Sequence, residues 1–288
     1  MSLVRPIKQL LIEEKMSAEL RLVERERRWE QGTDDLYGSA EGRLWGLVAG
    51  EMLHCGGISQ PKAMAVKAGI TESEKVLDLC SGFGSSLRFL AKNYNIQGYG
   101  LDISPYMIEQ AKRRTREEGL QRKVIHLQGD VYHVPWPDNS FDVVWGEDGW
   151  CYLDAKEALI KEAVRVLKPG GRIAFSDWTT GPAGLSAEEA NRIHTFLKFP
   201  YTESLTGYEN LLREHGMRIQ SSEDLCEQFA NSMELYKRMI TEQLTYDALK
   251  ILGDDQVLFD HVVGEWTYLI EMGRRKKFGQ GRIVAVKP

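Results

Sequence analysis

The sequence predicts an α/β protein built on a doubly wound, mostly parallel sheet. Two observations predict it. Short apolar runs alternate with helical stretches of roughly ten to fifteen residues, the pattern of strands joined by crossover helices. The first of these runs is followed by a glycine turn and then a helix, which places a ligand crevice at the carboxyl end of that strand.

Each element has its own reason. Lys75-Val-Leu-Asp-Leu-Cys80 is a short apolar strand, and Gly82 and Gly84 turn the chain into a helix over Ser86 to Asn93. Gln97 to Asp102 is a second strand. Ser104 is placed to cap, and Pro105 to begin, a helix running to Glu118. Lys123–Leu127, Phe141–Trp145 and Arg172–Ser176 read as strands three to five. A helix over Lys156–Leu167 stops at Lys168-Pro-Gly-Gly171. Further helices are expected over Ala187–Leu197 and Tyr208–His215, then a sixth strand over Met217–Asp224. Two long helices broken near Gly253 fill residues 226–275, and Arg282–Val286 is the seventh strand. An insertion of that length between the last two strands is expected to be a lid or an acceptor pocket. Residues 7–31 read as an amphipathic helix, followed by a glycine-rich and aromatic stretch from Gly32 to Gly57.

Composition narrows the classes. The 288 residues are 42% hydrophobic and 27% charged, enough to bury a core and outside the disordered class. Lys and Arg number 37 against 42 Asp and Glu, a net charge of −5, which disfavours general binding to a phosphate backbone. Cys55, Cys80, Cys151 and Cys226 form no C-x-x-C pair, so neither a disulfide framework nor a metal site is expected. No apolar run approaches the roughly 20 residues of a membrane span. Acidic residues interrupt the N-terminus as a signal peptide, so the expected location is cytoplasmic.

The chemistry concentrates after the first strand. Gly82 and Gly84 let the backbone approach a ligand where a Cβ would collide. The helix behind them presents free N–H groups. Asp102 ends the second strand, where a carboxylate can accept both hydroxyls of a ribose. The spacing contains no G-x-G-x-x-G, because residue 80 is Cys, and no G-x-x-x-x-G-K-[ST]. A dinucleotide dehydrogenase and a P-loop nucleotidase are thereby disfavoured.

Four features recur in order: the glycine turn, Asp102, Gly129-Asp130 after strand three, and Val166-Leu-Lys-Pro-Gly-Gly171 before strand five. In this combination the chain resembles the class I S-adenosylmethionine-dependent methyltransferases, well over about residues 70–180 and by architecture elsewhere. The resemblance implies a Rossmann-like sheet in the order 3-2-1-4-5-7-6, with the seventh strand antiparallel and a helical cap. The chain then divides as one methyltransferase domain, 1–288. Its parts are an N-terminal cap segment 1–65, a cofactor-binding core 66–180, the end of the core 181–224, a helical insertion 225–278 and a last strand 279–288.

The resemblance also implies S-adenosyl-L-methionine as cofactor. Asp78 would anchor its methionine end, over a floor of Cys80, Gly82 and Gly84. Asp102 would take the ribose hydroxyls and Ile103 would pack on the adenine. Asp130, preceded by Gly129 and followed by Val131, would accept from the adenine amino group. Gly146 would offer its carbonyl to the methionine ammonium. The family has glycine where this chain has Cys80.

The acceptor is less well marked, because an activated sulfonium needs alignment and water exclusion more than a fixed triad. Glu147 and Asp148 follow strand four, near the expected methyl, and can hold an ammonium or take a proton. His54 resembles the His-x-Gly segment that precedes the core in sarcosine and dimethylglycine methyltransferases, where it would lie near the acceptor. Trp150, Tyr152 and Trp178 fall on the same edge, either around a methylated cation or as the wall of an apolar pocket. The resemblance favours methyl transfer to a small-molecule amine of the glycine-derivative kind. The alternatives are O- or C-methylation of an apolar molecule (a sugar, quinone or sterol-like compound) and a non-catalytic cofactor-binding protein. Nucleic acid is disfavoured as a partner, since Gly146-Glu-Asp-Gly149 stands where an Asn/Asp-Pro-Pro-Tyr/Phe motif would be. The oligomeric state stays open.

Overall fold

The computed structural model describes residues 40–288. The helix expected over residues 7–31, and the glycine-rich stretch as far as residue 39, lie outside the described residues.

Seven strands make one sheet: β1 Lys75–Leu79, β2 Gln97–Asp102, β3 Val124–Gln128, β4 Phe141–Glu147, β5 Leu167–Thr180, β6 Arg218–Asp224 and β7 Phe278–Val286. Their order is β3-β2-β1-β4-β5-β7-β6. β7 runs antiparallel to β5 and β6, and the other pairs are parallel. The chain winds outward from β1 in one direction and from β4 in the other. The carboxyl ends of these two neighbours therefore diverge and leave a crevice.

The helices are α1 Ala40–Ala49, α2 Ser59–Ala68, α3 Ser85–Tyr94, α4 Pro105–Glu117, α5 Lys156–Val166, α6 Ala187–Leu197, α7 Leu205–Glu214, α8 Cys226–Arg238, α9 Thr245–Ile251 and α10 Gln256–Arg274. α4 starts as its sequence dictates: the Ser104 hydroxyl accepts the Met107 N–H, and Pro105 opens the first turn. α6 carries a capping box between Ser186 and Glu189.

Three departures from expectation have a structural reason. β5 begins at Leu167 rather than Arg172, because Leu167 pairs with Phe141 and a register shift absorbs the glycines before Arg172 meets Val143. β7 begins at Phe278 rather than Arg282. Its Gly279 and Gly281 lie where a Cβ would meet Cys226 Cα at 2.7 Å and Leu205 Cδ2 at 2.4 Å, so close packing, not a loop, accounts for them. The insertion holds three helices rather than two. A π-type stretch at Met239–Gln243 separates α8 from α9, and the break at Gly253 (φ 73°) falls where expected.

Alternation along the strands splits the core. Leu77, Leu79, Val144 and Phe175 pack with Leu159 of α5 and Tyr208 of α7. Val76, Val143 and Trp145 pack on the opposite face with Met64 of α2 and Leu87 of α3. A third apolar cluster sits in the cap and joins Leu44, Trp178, Phe229, Met233, Trp266 and Leu269. The crevice lies between the sheet edge and this cap.

Candidate active site

A cleft of about 950 Å³ opens at the crevice. Of the residues selected from the sequence, Asp78, Cys80, Gly82, Asp102, Ile103, Asp130 and Val131 line it, as do His54, Glu147 and Asp148. Gly84, Gly129 and Gly146 do not appear in its lining and have packing reasons of their own. Gly84 precedes α3 at φ 68°, and a Cβ there would fall 2.2 Å from His126 Cε1. Burial lowers that imidazole to about 4, so it sits beneath the turn as a neutral wedge. A Cβ on Gly129 would meet Leu101 Cδ1 at 2.9 Å, and one on Gly146 would meet Trp150 Nε1 at 2.4 Å.

Cys80 occupies a left-handed backbone position, φ 64°. A non-glycine residue there costs roughly 1–2 kcal/mol, which explains why the family pattern favours glycine.

The cleft floor is acidic. Asp78 is 3% exposed, and no described residue donates a hydrogen bond to it. Burial pushes its carboxyl well above the ordinary range, and the neighbouring Glu147 and Asp102 push it further. Asp102 Oδ2 accepts the Gly82 N–H at 2.8 Å and Oδ1 accepts the Ser104 N–H at 3.0 Å, so this carboxylate ties the turn to the end of β2. Its carboxyl is raised by burial, against the pull of those N–H groups. Asp130 Oδ1 accepts the Tyr132 N–H at 2.9 Å, and its Oδ2 lies 3.2 Å from His133 Nδ1. The described lining contains no Lys or Arg. Converging buried carboxylates without a cation suit a positively charged ligand.

Past β4 the two acidic neighbours have different surroundings. Glu147 Oε1 accepts the Trp145 indole N–H at 2.7 Å, and Oε2 lies 3.2 Å from His54 Nε2. His54 is 2% exposed and its backbone is pinned on both sides. The Leu53 carbonyl accepts from Trp45 Nε1 at 2.8 Å, and the Cys55 N–H donates to Asp148 Oδ2 at 3.0 Å. Asp148 also accepts from Gln280 Nε2 and, at 3.3 Å, from Ser176 Oγ. Its carboxyl is raised by burial and by Glu147, with His54, Cys55 and Gln280 opposing.

A second chamber of about 730 Å³ adjoins the first through the shared residues Leu53, Asp148 and Tyr152. The cap supplies its wall: Trp45 of α1, Trp178 of β5, Phe196 of α6, Phe199, Met233 of α8 and Trp266 of α10. Asp148 is the only charged side chain among its described lining residues. Trp150 does not join this edge. It is fully buried, stacks on Phe175 with ring centroids 4.3 Å apart, and donates to the Leu79 carbonyl. The missing Cβ of Gly146 leaves the space that its indole fills. Phe196 and Phe199 carried no sequence signal, whereas Trp45, Tyr152, Trp178, Met233 and Trp266 lay in segments the sequence had marked.

The family model described as "Methyltransferase domain" matches residues 77–175, the stretch that builds the cleft floor. Over this stretch the chain is similar to the class I S-adenosylmethionine-dependent methyltransferases. The cofactor of this family is S-adenosylmethionine, and an acidic floor lacking its own cation fits the ammonium and sulfonium that this cofactor carries. The chain is 30% identical over 167 residues to the glycine/sarcosine/dimethylglycine N-methyltransferase of Actinopolyspora halophila, covering 57% of this chain and 29% of that one. It is 28% identical over 251 residues to phosphoethanolamine N-methyltransferase 1 of Arabidopsis thaliana, covering 86% of this chain and 50% of that one. The chain thus spans half or less of the length of these relatives. Phosphoethanolamine N-methyltransferase 2 of Haemonchus contortus superposes with a TM-score of 0.78 at 22% identity, covering 90% of this chain and 60% of that one; that likeness is one of fold. Among the described residues, no helix is long and apolar enough to cross a membrane, and no His, Cys, Asp or Glu group is arranged to hold a metal.

Proposed function

We propose that this protein transfers a methyl group from S-adenosylmethionine to a small-molecule acceptor. The observation that carries the reading is the buried Asp78 carboxylate, without a described donor, beneath the Gly82 turn and flanked by Asp102 and Glu147. Asp78 would hold the cofactor's ammonium. Asp102, already fixed by two backbone N–H groups, would accept the ribose hydroxyls through its remaining lone pairs. Ile103 and Val131 would enclose the adenine, and Asp130 would accept from its amino group. When bound, the cofactor supplies a methyl carbon on a positively charged sulfur. The chain's part is to align the acceptor and exclude water.

His54 and Glu147 stand at the cleft, where a proton would leave a protonated acceptor. Glu147 would orient the imidazole. Asp148 would hold the wall between the two chambers.

Resemblance to sarcosine and dimethylglycine methyltransferases supports an amine acceptor. The second chamber supports the other reading, O- or C-methylation of an apolar molecule, because neither chamber's described lining offers a Lys or Arg to a glycine derivative's carboxylate. The test measures S-adenosylhomocysteine formation against amines, amino acids, phenols, sugars and quinones. Turnover with phenols or quinols selects the apolar reading, and turnover with glycine, sarcosine or dimethylglycine selects the amine. Tight cofactor binding with no turnover across the panel would favour a non-catalytic binder.

A further inference from the structure

From the cap we infer that the second chamber is the acceptor's binding site and that it admits a neutral apolar ring system rather than an ammonium or a zwitterion. This inference rests on the methyltransferase reading for its connection to the cofactor cleft.

Three features lead to it. The first is continuity. Leu53, Asp148 and Tyr152 line both chambers, so a molecule seated in the second one lies directly beside the cofactor cleft.

The second is the arrangement of the aromatic wall. A cation site made from tryptophans needs their faces turned toward a shared space that the cation fills. Here the rings pack on one another. The Trp45 ring centroid lies 5.8 Å from that of Trp178 and 6.0 Å from that of Trp266, at interplanar angles of 59° and 86°. These are tilted and edge-to-face contacts between neighbours. They make a continuous apolar surface. Trp178 is backed in turn by Phe199 and Phe229, with centroids at 5.7 Å and 5.1 Å.

The third is charge. Asp148, the one charged side chain in the described lining, is 7% exposed and already accepts from the Cys55 N–H, Gln280 and Ser176. It is therefore committed to the fold rather than left over to pair with a ligand cation. Against the described lining a zwitterion would bury a carboxylate with no cation and an ammonium with an occupied partner, and both carry a desolvation penalty. A neutral ring carries neither and buries its area against indole and methionine.

The test is calorimetric titration of the full chain, with and without saturating S-adenosylhomocysteine, using three probes: 1-naphthol, dimethylglycine and choline. The inference expects naphthol to bind at least about tenfold more tightly than either charged probe, as a buried uncompensated charge would dictate. It also expects Phe196→Arg, a half-buried position on the chamber wall, to weaken naphthol by at least about tenfold. Phe196→Leu should retain naphthol binding, and both variants should bind S-adenosylhomocysteine as the wild type does. Tighter binding of dimethylglycine or choline, or no binding of naphthol, overturns the inference while leaving the methyltransferase reading in place. So does a Phe196→Arg protein that binds S-adenosylhomocysteine normally and naphthol undiminished. Failure of S-adenosylhomocysteine to bind the wild type strikes the methyltransferase reading instead, and naphthol binding is read separately from it.

Discussion

The Asp148 carboxylate holds the Cys55 backbone, with its Oδ2 accepting the Cys55 N–H at 3.0 Å. The same carboxylate takes Gln280 of β7 and Ser176 of β5. Three distant stretches of chain therefore meet on one side chain. Asp148→Ala should strand the buried Cys55 N–H and the Gln280 amide and lower stability by about 1–3 kcal/mol, as measured by urea unfolding. Asp148→Asn keeps an acceptor and should lose less. Wild-type stability in the alanine variant would show that these bonds contribute nothing.

Glu147 and Asp78 offer a charge-specific prediction. S-adenosylmethionine carries a positive sulfur and S-adenosylhomocysteine does not, while both carry the ammonium. Asp78→Asn is therefore expected to weaken the two ligands alike. Glu147→Gln is expected to weaken S-adenosylmethionine more than the product, by on the order of 1 kcal/mol for charges separated through a partly solvated site. Parallel titrations of both ligands read the difference. Equal losses in the Glu147 variant would separate it from the sulfonium.

Asp102→Ala should weaken binding of S-adenosylhomocysteine by about 1–3 kcal/mol, from the lost charge-assisted hydrogen bonds to the ribose and the released Gly82 turn. Calorimetry measures it directly. Unchanged affinity would remove Asp102 from the ribose.

Asp177 gives a pH signature. It is fully buried, accepts from Tyr208 Oη at 2.6 Å and from the Cys151 N–H at 2.9 Å, and is raised to about 6 by burial despite Lys156 and Tyr208. A folded-state value above that of the unfolded chain means that the folded protein holds the proton more tightly. The contribution of this group is full below about pH 4 and is lost as pH rises to about 6. Asp177→Asn removes the slope. The stability of the wild type relative to the variant should fall across that window by on the order of 3 kcal/mol. Parallel unfolding curves at pH 4 and pH 7 would refute the assignment.

Much of the fold was legible because its signals are local. Apolar alternation in Val76–Leu79, the Ser104-Pro105 start of α4 and the glycine turn act within a few residues, and each element formed where those signals lay. The glycines of β5 and β7 misled in one direction. At 168–171 and 279–281 they mark a bulge and close packing against Cys226 and Leu205, and both depend on a partner strand or helix that local reading does not see.

By itself, the sequence determined the alternation of strands and helices, the turn at Gly82 and the acidic positions Asp78, Asp102 and Asp130, because short-range periodicity and backbone sterics specify them. Only the tertiary structure decided that Asp148 anchors Cys55 while Glu147 faces His54, that Trp150 is buried in the core, and that Trp45, Trp178 and Trp266 make one apolar wall. Those outcomes come from side chains far apart in the chain competing for the same buried space. Packing settles that competition only when the cap closes on the sheet edge.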